Sequence, residues 1–251
     1  MGRRRYRATD PLGRAMLDYQ RDRLGELRYR DGSRTRDGAV EEFYFGSPDS
    51  WSEATLERLE RVVSRGGPVL DVGCGSGQHA RWFLERDLEV VGVDVSPLAV
   101  EAARERGITD VLVGDMFELP FATGRFRSLH CVGTQIGLGG SLEGIATLLG
   151  EFARVTDKQG LALVDTYDPS KLSDDALGYR ADPRAGIAHR CFHFEYRPAT
   201  GSERIVGPTL HFLLCSPGRL REATIGTAWT LLETIERDAH YVAVLEKAAS
   251  R

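Results

Sequence analysis

The run Val69-Leu70-Asp71-Val72-Gly73-Cys74-Gly75-Ser76-Gly77 decides how the chain is read. Val69 to Val72 is a short, mostly apolar segment, as a strand buried on both faces requires. Glycines at alternate positions then end the strand, because they admit positive φ and close approach of a ligand to the backbone. Gln78 to Arg86 follows, with Ala80, Phe83 and Leu84 at helical spacing. The junction is therefore strand, glycine loop, helix, at the carboxyl edge of a sheet where open α/β folds bind ligands. Amide N–H groups left unpaired at the helix start can receive a carboxylate or a phosphate there.

Downstream the alternation continues. Val90 to Val93 predicts a second strand, and Asp94 stands at its end. Ser96 as cap, Pro97 at the first helical position and Gly107 as the stop predict the next helix. Val111 to Val113 and Leu129 to Val132 predict strands three and four. Leu142, Ile145, Ala146, Leu149, Phe152 and Ala153 mark one helix face, and Leu161 to Val164 a fifth strand. Continuous apolar strands alternating with helices mean a mostly parallel sheet covered on both faces.

The flanks read differently. Residues 1–66 are charged, with a helix expected over Pro11–Leu27, a loop over Arg30–Gly38, and a helix over Ser52–Val63 capped by Ser52. In residues 169–251, His189–Tyr196 and Ile205–Leu214 predict an antiparallel hairpin turned over Pro198–Ser202. Gly218–Ala228 reads as a helix, and Trp229–Ile235 with Tyr241–Leu245 as a final strand pair. The chain thus divides into an N-terminal helical or lid segment (1–66), a ligand-binding core (67–168) and a C-terminal part (169–251).

Composition narrows the function. The 251 residues are 41% hydrophobic and 28% charged, with a net charge of −4. That supplies a core and gives no broad pull on nucleic acid or anionic membrane. Lysine occurs only at Lys158, Lys171 and Lys247. There is no apolar run of membrane-spanning length, and the basic start Met1-Gly2-Arg3-Arg4-Arg5 lacks the apolar stretch of a signal peptide. A cytoplasmic location is expected. Cys74, Cys131, Cys191 and Cys215 form no CxxC pair, so free thiols are expected, not a disulfide scaffold or zinc ribbon.

The succession Asp71 to Gly77, Asp94 and Gly114-Asp115 resembles the motifs of class I S-adenosylmethionine-dependent methyltransferases. The resemblance covers about residues 67–168. It implies a Rossmann-like, seven-stranded, mostly parallel sheet with helices on both faces and one antiparallel strand in the last pair. It implies S-adenosylmethionine as cofactor. The glycine loop (Gly73, Cys74, Gly75, Ser76, Gly77) would hold the methionine part, with Asp71 toward the ammonium. Asp94, with Val95 beside it, would take the ribose hydroxyls. Asp115 and Met116 would meet adenine, and Gly133, after strand four, is a further cofactor-binding candidate. One departure from the pattern is Arg127-Ser128 after Phe126, where family members often carry an acid.

A nicotinamide enzyme needs GxGxxG/A, but Gln78 occupies the sixth position here and the third glycine comes one residue early. Methyl transfer suits the shorter ligand and chiefly requires positioning and exclusion of water. Gly133-Thr134-Gln135-Ile136-Gly137-Leu138 is neither the Asn/Asp-Pro-Pro-Tyr/Phe motif of amino-methylating nucleic-acid enzymes nor a Pro-Cys motif. Thr134 and Gln135 are candidates for substrate contact, or equally for satisfying their own backbone. Tyr167 after strand five, Tyr44 in the aromatic run before the core, and His193 on the hairpin are further substrate-side candidates. Asp168, before Pro169, reads as a turn residue. Period two puts His189, Cys191, His193 and Glu195 on one strand face, a polar pocket wall or a solvated face; no metal is expected. His79 reads as a helix surface residue, His130 as a packing histidine. The expected activity is methyl transfer to a small molecule. The alternatives are transfer to protein or RNA, which calls for a basic groove beside the cofactor, and a non-catalytic sensor or partner subunit.

Overall fold

Asp10 and Pro11 open the first helix: the Asp10 carboxylate accepts the Gly13 amide at 2.8 Å and Pro11 occupies the first turn. In this computed structural model, which describes residues 9–173, 175–201 and 203–247, helix α1 spans Pro11–Gln20. The basic run Met1–Arg5 lies outside the described residues. The helix stops well short of Leu27. The chain turns instead into β1 (Glu26–Asp31) and β2 (Arg34–Asp37), a hairpin reversed at Gly32, whose φ is 58°. The helix expected to Leu27 and the loop expected over Arg30–Gly38 are both corrected. The reason is long-range: β1 pairs antiparallel with residues 193–197, so a distant partner overrides local helical periodicity.

Helix α2 (Val40–Tyr44) follows, then α3 (Glu53–Arg65), with Ser52 accepting the Thr55 amide at 3.2 Å as its cap. The core then runs β3 (Val69–Val72), α4 (Gln78–Leu84), β4 (Val90–Asp94), α5 (Pro97–Glu105), β5 (Val111–Val113), β6 (Phe126–Cys131), α6 (Leu142–Val155) and β7 (Thr156–Tyr167). After it come β8 (Tyr179–Ala181), β9 (Ile187–Arg197), β10 (Ile205–Val206), β11 (Leu210–Cys215), α7 (Pro217–Thr224), β12 (Trp229–Arg237) and β13 (His240–Lys247). Helix α7 ends earlier than the pattern over 218–228 implied.

The seven-stranded sheet has the order β12-β13-β7-β6-β3-β4-β5. Its neighbours are parallel except β13, which runs antiparallel to both β12 and β7. Leu59 and Val62 of α3, Phe83 of α4 and Val100 of α5 pack on one face. Ile145, Leu149 and Phe152 of α6 and Leu220 of α7 pack on the other. Each inward side chain removes apolar area from water at roughly 25 cal/mol per Å².

The expected hairpin over 189–214 is part of something larger. Strand β9 is the centre of a six-stranded antiparallel sheet in which it pairs with β1, β8, β10 and β11. Alternation along β9 buries Phe192, Phe194 and Tyr196 with Leu27, Phe212 and Leu214. The same cluster takes in Ala15 of α1 and reaches Leu138 and Tyr167 at the carboxyl edge of the large sheet. Gly137 permits the contact: a Cβ there would lie 2.6 Å from the Leu213 carbonyl. The small sheet therefore roofs the edge where the glycine loop sits. No described helix is long and apolar enough to cross a membrane.

Candidate active site

The glycine loop is left-handed at Gly73 (φ 64°), Gly75 (55°) and Gly77 (76°). Side chains there would strain the backbone, so the three glycines have a conformational cause. The Gly73 and Cys74 amides donate to the Val93 carbonyl at 2.7 and 3.1 Å, tying the loop to β4. Asp94 holds it from the other side. Its Oδ2 accepts the Gly75 amide at 2.9 Å, and its Oδ1 accepts the Ser96 amide at 2.8 Å. Burial pushes the Asp94 carboxyl up to about 6, against the lowering effect of those two bonds.

Asp71 is buried at the end of β3. Its Oδ1 pairs with His130 Nδ1 at 2.9 Å, and its Oδ2 is buried without a hydrogen-bond partner. His130 packs inside the fold, as expected of it. His79 does not face solvent as expected. Half-buried, it accepts from the Arg58 guanidinium at 3.2 Å and packs edge-on against His130 at 5.0 Å between ring centres. Burial drives its pKa well below the ordinary histidine value.

The N-terminal segment covers the loop. A Cβ on Gly75 would lie 3.4 Å from Met16 Cε and 3.7 Å from Tyr44 Cδ1. Ser76 Oγ donates to the Tyr44 carbonyl, Gln78 Nε2 donates to the Phe43 carbonyl at 2.7 Å, and Arg106 reaches the Tyr44 and Ser76 carbonyls at 3.2 Å. Tyr44 is thus beside the loop. At the far end of the edge, Asp115 is exposed and accepts the Phe117 amide at 3.0 Å, and Met116 packs half-buried on the core. Val95, Val113 and Phe117 leave 42%, 49% and 42% of their surfaces exposed, apolar area left in water at the end of β4 and after β5.

On the other side of the glycine loop, Asp165 accepts the Gly133 amide at 3.0 Å, the Thr134 amide at 2.6 Å and His240 Nε2 at 2.8 Å. Burial alone would raise this carboxyl, but the His240 bond and charge and the Gly133 amide outweigh it and hold it below 3.8. Asp165 is therefore ionised and only accepts, so His240 Nε2 donates this bond, and only the neutral form of the ring has a lone pair on Nδ1. The His240 ring meets Tyr167 edge-on at 5.2 Å. Gln135 satisfies backbone, donating to the Gly73 and Val132 carbonyls at 2.9 and 3.2 Å. Asp168 caps the turn at Pro169 by accepting the Ser170 amide at 3.0 Å. His193 pairs with Glu195 at 3.2 Å on the face of β9 opposite Phe192 and Phe194, away from the edge. His189 is taken up by Asp182 and His211, each at 3.0 Å. The sequence reading missed Arg58 and His240. Cross-strand register was the signal for His240, which pairs with Tyr167 across β13 and β7.

A parallel sheet with an antiparallel penultimate strand, a left-handed glycine loop after its first core strand and carboxylates ending the next positions define the class I methyltransferase fold. Residues 69–160 match the family model described as a methyltransferase domain. The structure of an S-adenosylmethionine-dependent methyltransferase from Bacteroides fragilis, in complex with S-adenosylhomocysteine, superposes with a TM-score of 0.77 at 23% identity, over 96% of each chain. The mouse 18S rRNA (guanine-N(7))-methyltransferase is 38% identical over 30% of this chain and 27% of its own length. The 2-heptyl-1-hydroxyquinolin-4(1H)-one methyltransferase of Mycobacteroides abscessus is 38% identical over 25% of this chain and 30% of its own. The chain spans less than a third of either curated relative.

Proposed function

We propose that the chain is an S-adenosylmethionine-dependent methyltransferase acting on a small molecule. The observation that carries the cofactor is the buried, unpartnered Asp71 Oδ2 beside three left-handed glycines. An unpaired buried carboxylate oxygen costs several kcal/mol unless a donor arrives, and the cofactor ammonium is such a donor. Asp94 would accept the ribose hydroxyls on the lone pairs that Gly75 and Ser96 leave free. Val95, Val113, Met116 and Phe117 offer apolar surface to adenine, with Asp115 at its rim. When bound, the cofactor supplies a methyl group already activated on a sulfonium. The chain's work is to seat it, exclude water under Tyr44 and Met16, and hold an acceptor near Gly133, Thr134 and Tyr167. His240, oriented by Asp165, is proposed to take the proton the acceptor loses.

The small sheet supports a small acceptor, because it closes over the edge. Several arginines on or beside it are matched: Arg28 with Glu26, Arg30 and Arg204 with Glu195, Arg180 with Asp31. Such pairs reduce the positive charge offered to a nucleic-acid backbone. A cytoplasmic setting belongs to the same proposal, supported by four unpaired thiols. Calorimetric titration with S-adenosylhomocysteine, then transfer of a radiolabelled methyl group to fractionated cell extract, tests it. Label in a low-molecular-mass fraction is the expected result. Label in RNA or protein would overturn the acceptor class, and binding without any labelled fraction would favour a non-catalytic role.

A further inference from the structure

We propose that His130 is a positioning residue for the cofactor: it fixes the Asp71 carboxylate without neutralising it, and so sets the selectivity for a ligand bearing a free ammonium group. The inference rests on the cofactor reading above.

Asp71 and His130 are adjacent in register on the parallel strands β3 and β6. Both are buried, His130 completely, and their contact is 2.9 Å. A carboxylate only accepts, so His130 Nδ1 must carry the proton of this bond. His130 Nε2 is buried without a partner. As a bare acceptor it is tolerable, whereas a proton there would be a buried orphan donor. His130 is therefore the neutral, Nδ1-protonated tautomer. Its ring is clamped edge-on by His79 at 5.0 Å and Phe83 at 5.6 Å, both from α4. His79 is itself held as an acceptor by Arg58 at 3.2 Å, which leaves it neutral too. The nearest positive charge in this stack is thus separated from Asp71 by two neutral rings.

A lysine or arginine in place of His130 would cancel the Asp71 charge. A hydrophobe would leave both oxygens free to turn or to take up a proton. The neutral imidazole does neither: it occupies Oδ1, locks the carboxylate plane and leaves Oδ2 as a full acceptor. No bond is made or broken in this role.

The test compares two ligands. S-adenosylhomocysteine carries the amino-acid group; 5′-methylthioadenosine keeps adenine, ribose and sulfur but lacks it. In His130→Leu, S-adenosylhomocysteine should bind about tenfold more weakly, the size of one bond to a charged group, while methylthioadenosine stays within about twofold. His130→Asn puts an N–H where Nδ1 stood and should recover most of the loss. Asp71→Asn, which changes no volume, should repeat the selective loss and covers the case in which the leucine variant fails to melt cooperatively. Parallel weakening of both ligands, or no weakening of either in His130→Leu, overturns the inference. Failure is distinguishable from failure of the cofactor reading, because there the unmodified protein would bind neither ligand.

Discussion

Replacing Asp94 by Asn keeps the shape of the side chain and removes its charge. Each carboxylate oxygen already accepts one backbone amide, from Gly75 at 2.9 Å and from Ser96 at 2.8 Å. One lone pair per oxygen remains for a ribose hydroxyl. Asparagine must turn its NH2 group toward one of those donors, so one ribose bond is lost and the other weakens. At about 1.5–3 kcal/mol for a bond to a charged group, cofactor affinity should fall by about 2–4 kcal/mol, roughly 30-fold to 900-fold in Kd. Stability responds differently. Burial, with some help from Asp10 and Asp71, lifts the Asp94 carboxyl from 3.8 to about 6. The folded chain thus holds this proton more tightly than the unfolded chain, so the group favours the fold below pH 3.8 and that contribution is lost as pH rises through about 6. Near neutral pH the charge costs on the order of 3 kcal/mol, which asparagine avoids. The backbone donor it leaves unpaired costs about 1–3 kcal/mol. The two nearly cancel, so Asp94→Asn should melt within a few degrees of the unmodified protein while binding S-adenosylhomocysteine far more weakly. In the unmodified protein, affinity should tighten as pH rises through about 6, because only the carboxylate accepts both hydroxyls. Calorimetry beside thermal melts reads both quantities. Unchanged affinity in a folded Asp94→Asn variant would refute the ribose assignment.

Asp165→Asn removes the charge that holds Gly133, Thr134 and His240, and should cost on the order of 2–4 kcal/mol by urea denaturation at neutral pH. Because its folded pKa lies below 3.8, Asp165 stabilises above that pH and the contribution is lost as pH falls through the folded value; an equally steep acid limb in the variant would count against this account. Gly77→Ala puts a Cβ 2.8 Å from Ile108 Cγ1 at φ 76° and should cost about 1–3 kcal/mol, lowering Tm by about 2–4 °C for each; an unchanged Tm would contradict the left-handed loop. Burial raises the thiols of Cys74, Cys131 and Cys215, the last to about 12, whereas Cys191 is half-exposed. Ellman's reagent should therefore modify one thiol quickly in the native protein and all four in denaturant, and a second fast thiol would be inconsistent with the burial.

The seven-stranded core was legible because its signals are local. Val69 to Val72 and Val90 to Val93 are short apolar runs, and Ser96, Pro97 and Gly107 punctuate a helix wherever they occur. Asp71 and Asp94 were legible for the same reason: each is an acid at the carboxyl end of a short apolar strand, Asp71 next to last in β3 and Asp94 last in β4. The small sheet was not legible. Glu26-Leu27-Arg28-Tyr29-Arg30 carries only Leu27 as a fully buried side chain, too little for a period to show. Its strand identity comes from pairing with β9, contact between residues far apart in the chain. The acceptor side was half legible. Tyr167 was marked by its place after a strand, but His240 joins Asp165 only through β13, and nothing near residue 240 announces it. His193 shows the converse error, since the right alternation along β9 does not say which face the core will take.

That distinction bears on what the N-terminal segment does. Helix α2 is five residues long, starts from a left-handed Ala39 and has no side-chain cap, so it has little stability of its own. Its position must come from the bonds it makes, and those bonds go to the glycine loop: Ser76 and Arg106 to the Tyr44 carbonyl, Gln78 to Phe43. Helix α1 is fixed in the same way. Asp10, which caps it, accepts from Ser96 Oγ, and the Ser96 amide donates to the carboxylate of Asp94. Met16 and Leu17 then pack on Ala99 and Ala102 of α5. One residue, Ser96, therefore joins the start of α1 to the side chain assigned to the ribose. Cover and glycine loop therefore share one hydrogen-bond system, with Ser96 and the Asp94 carboxylate as the link between α1 and the Gly75 amide.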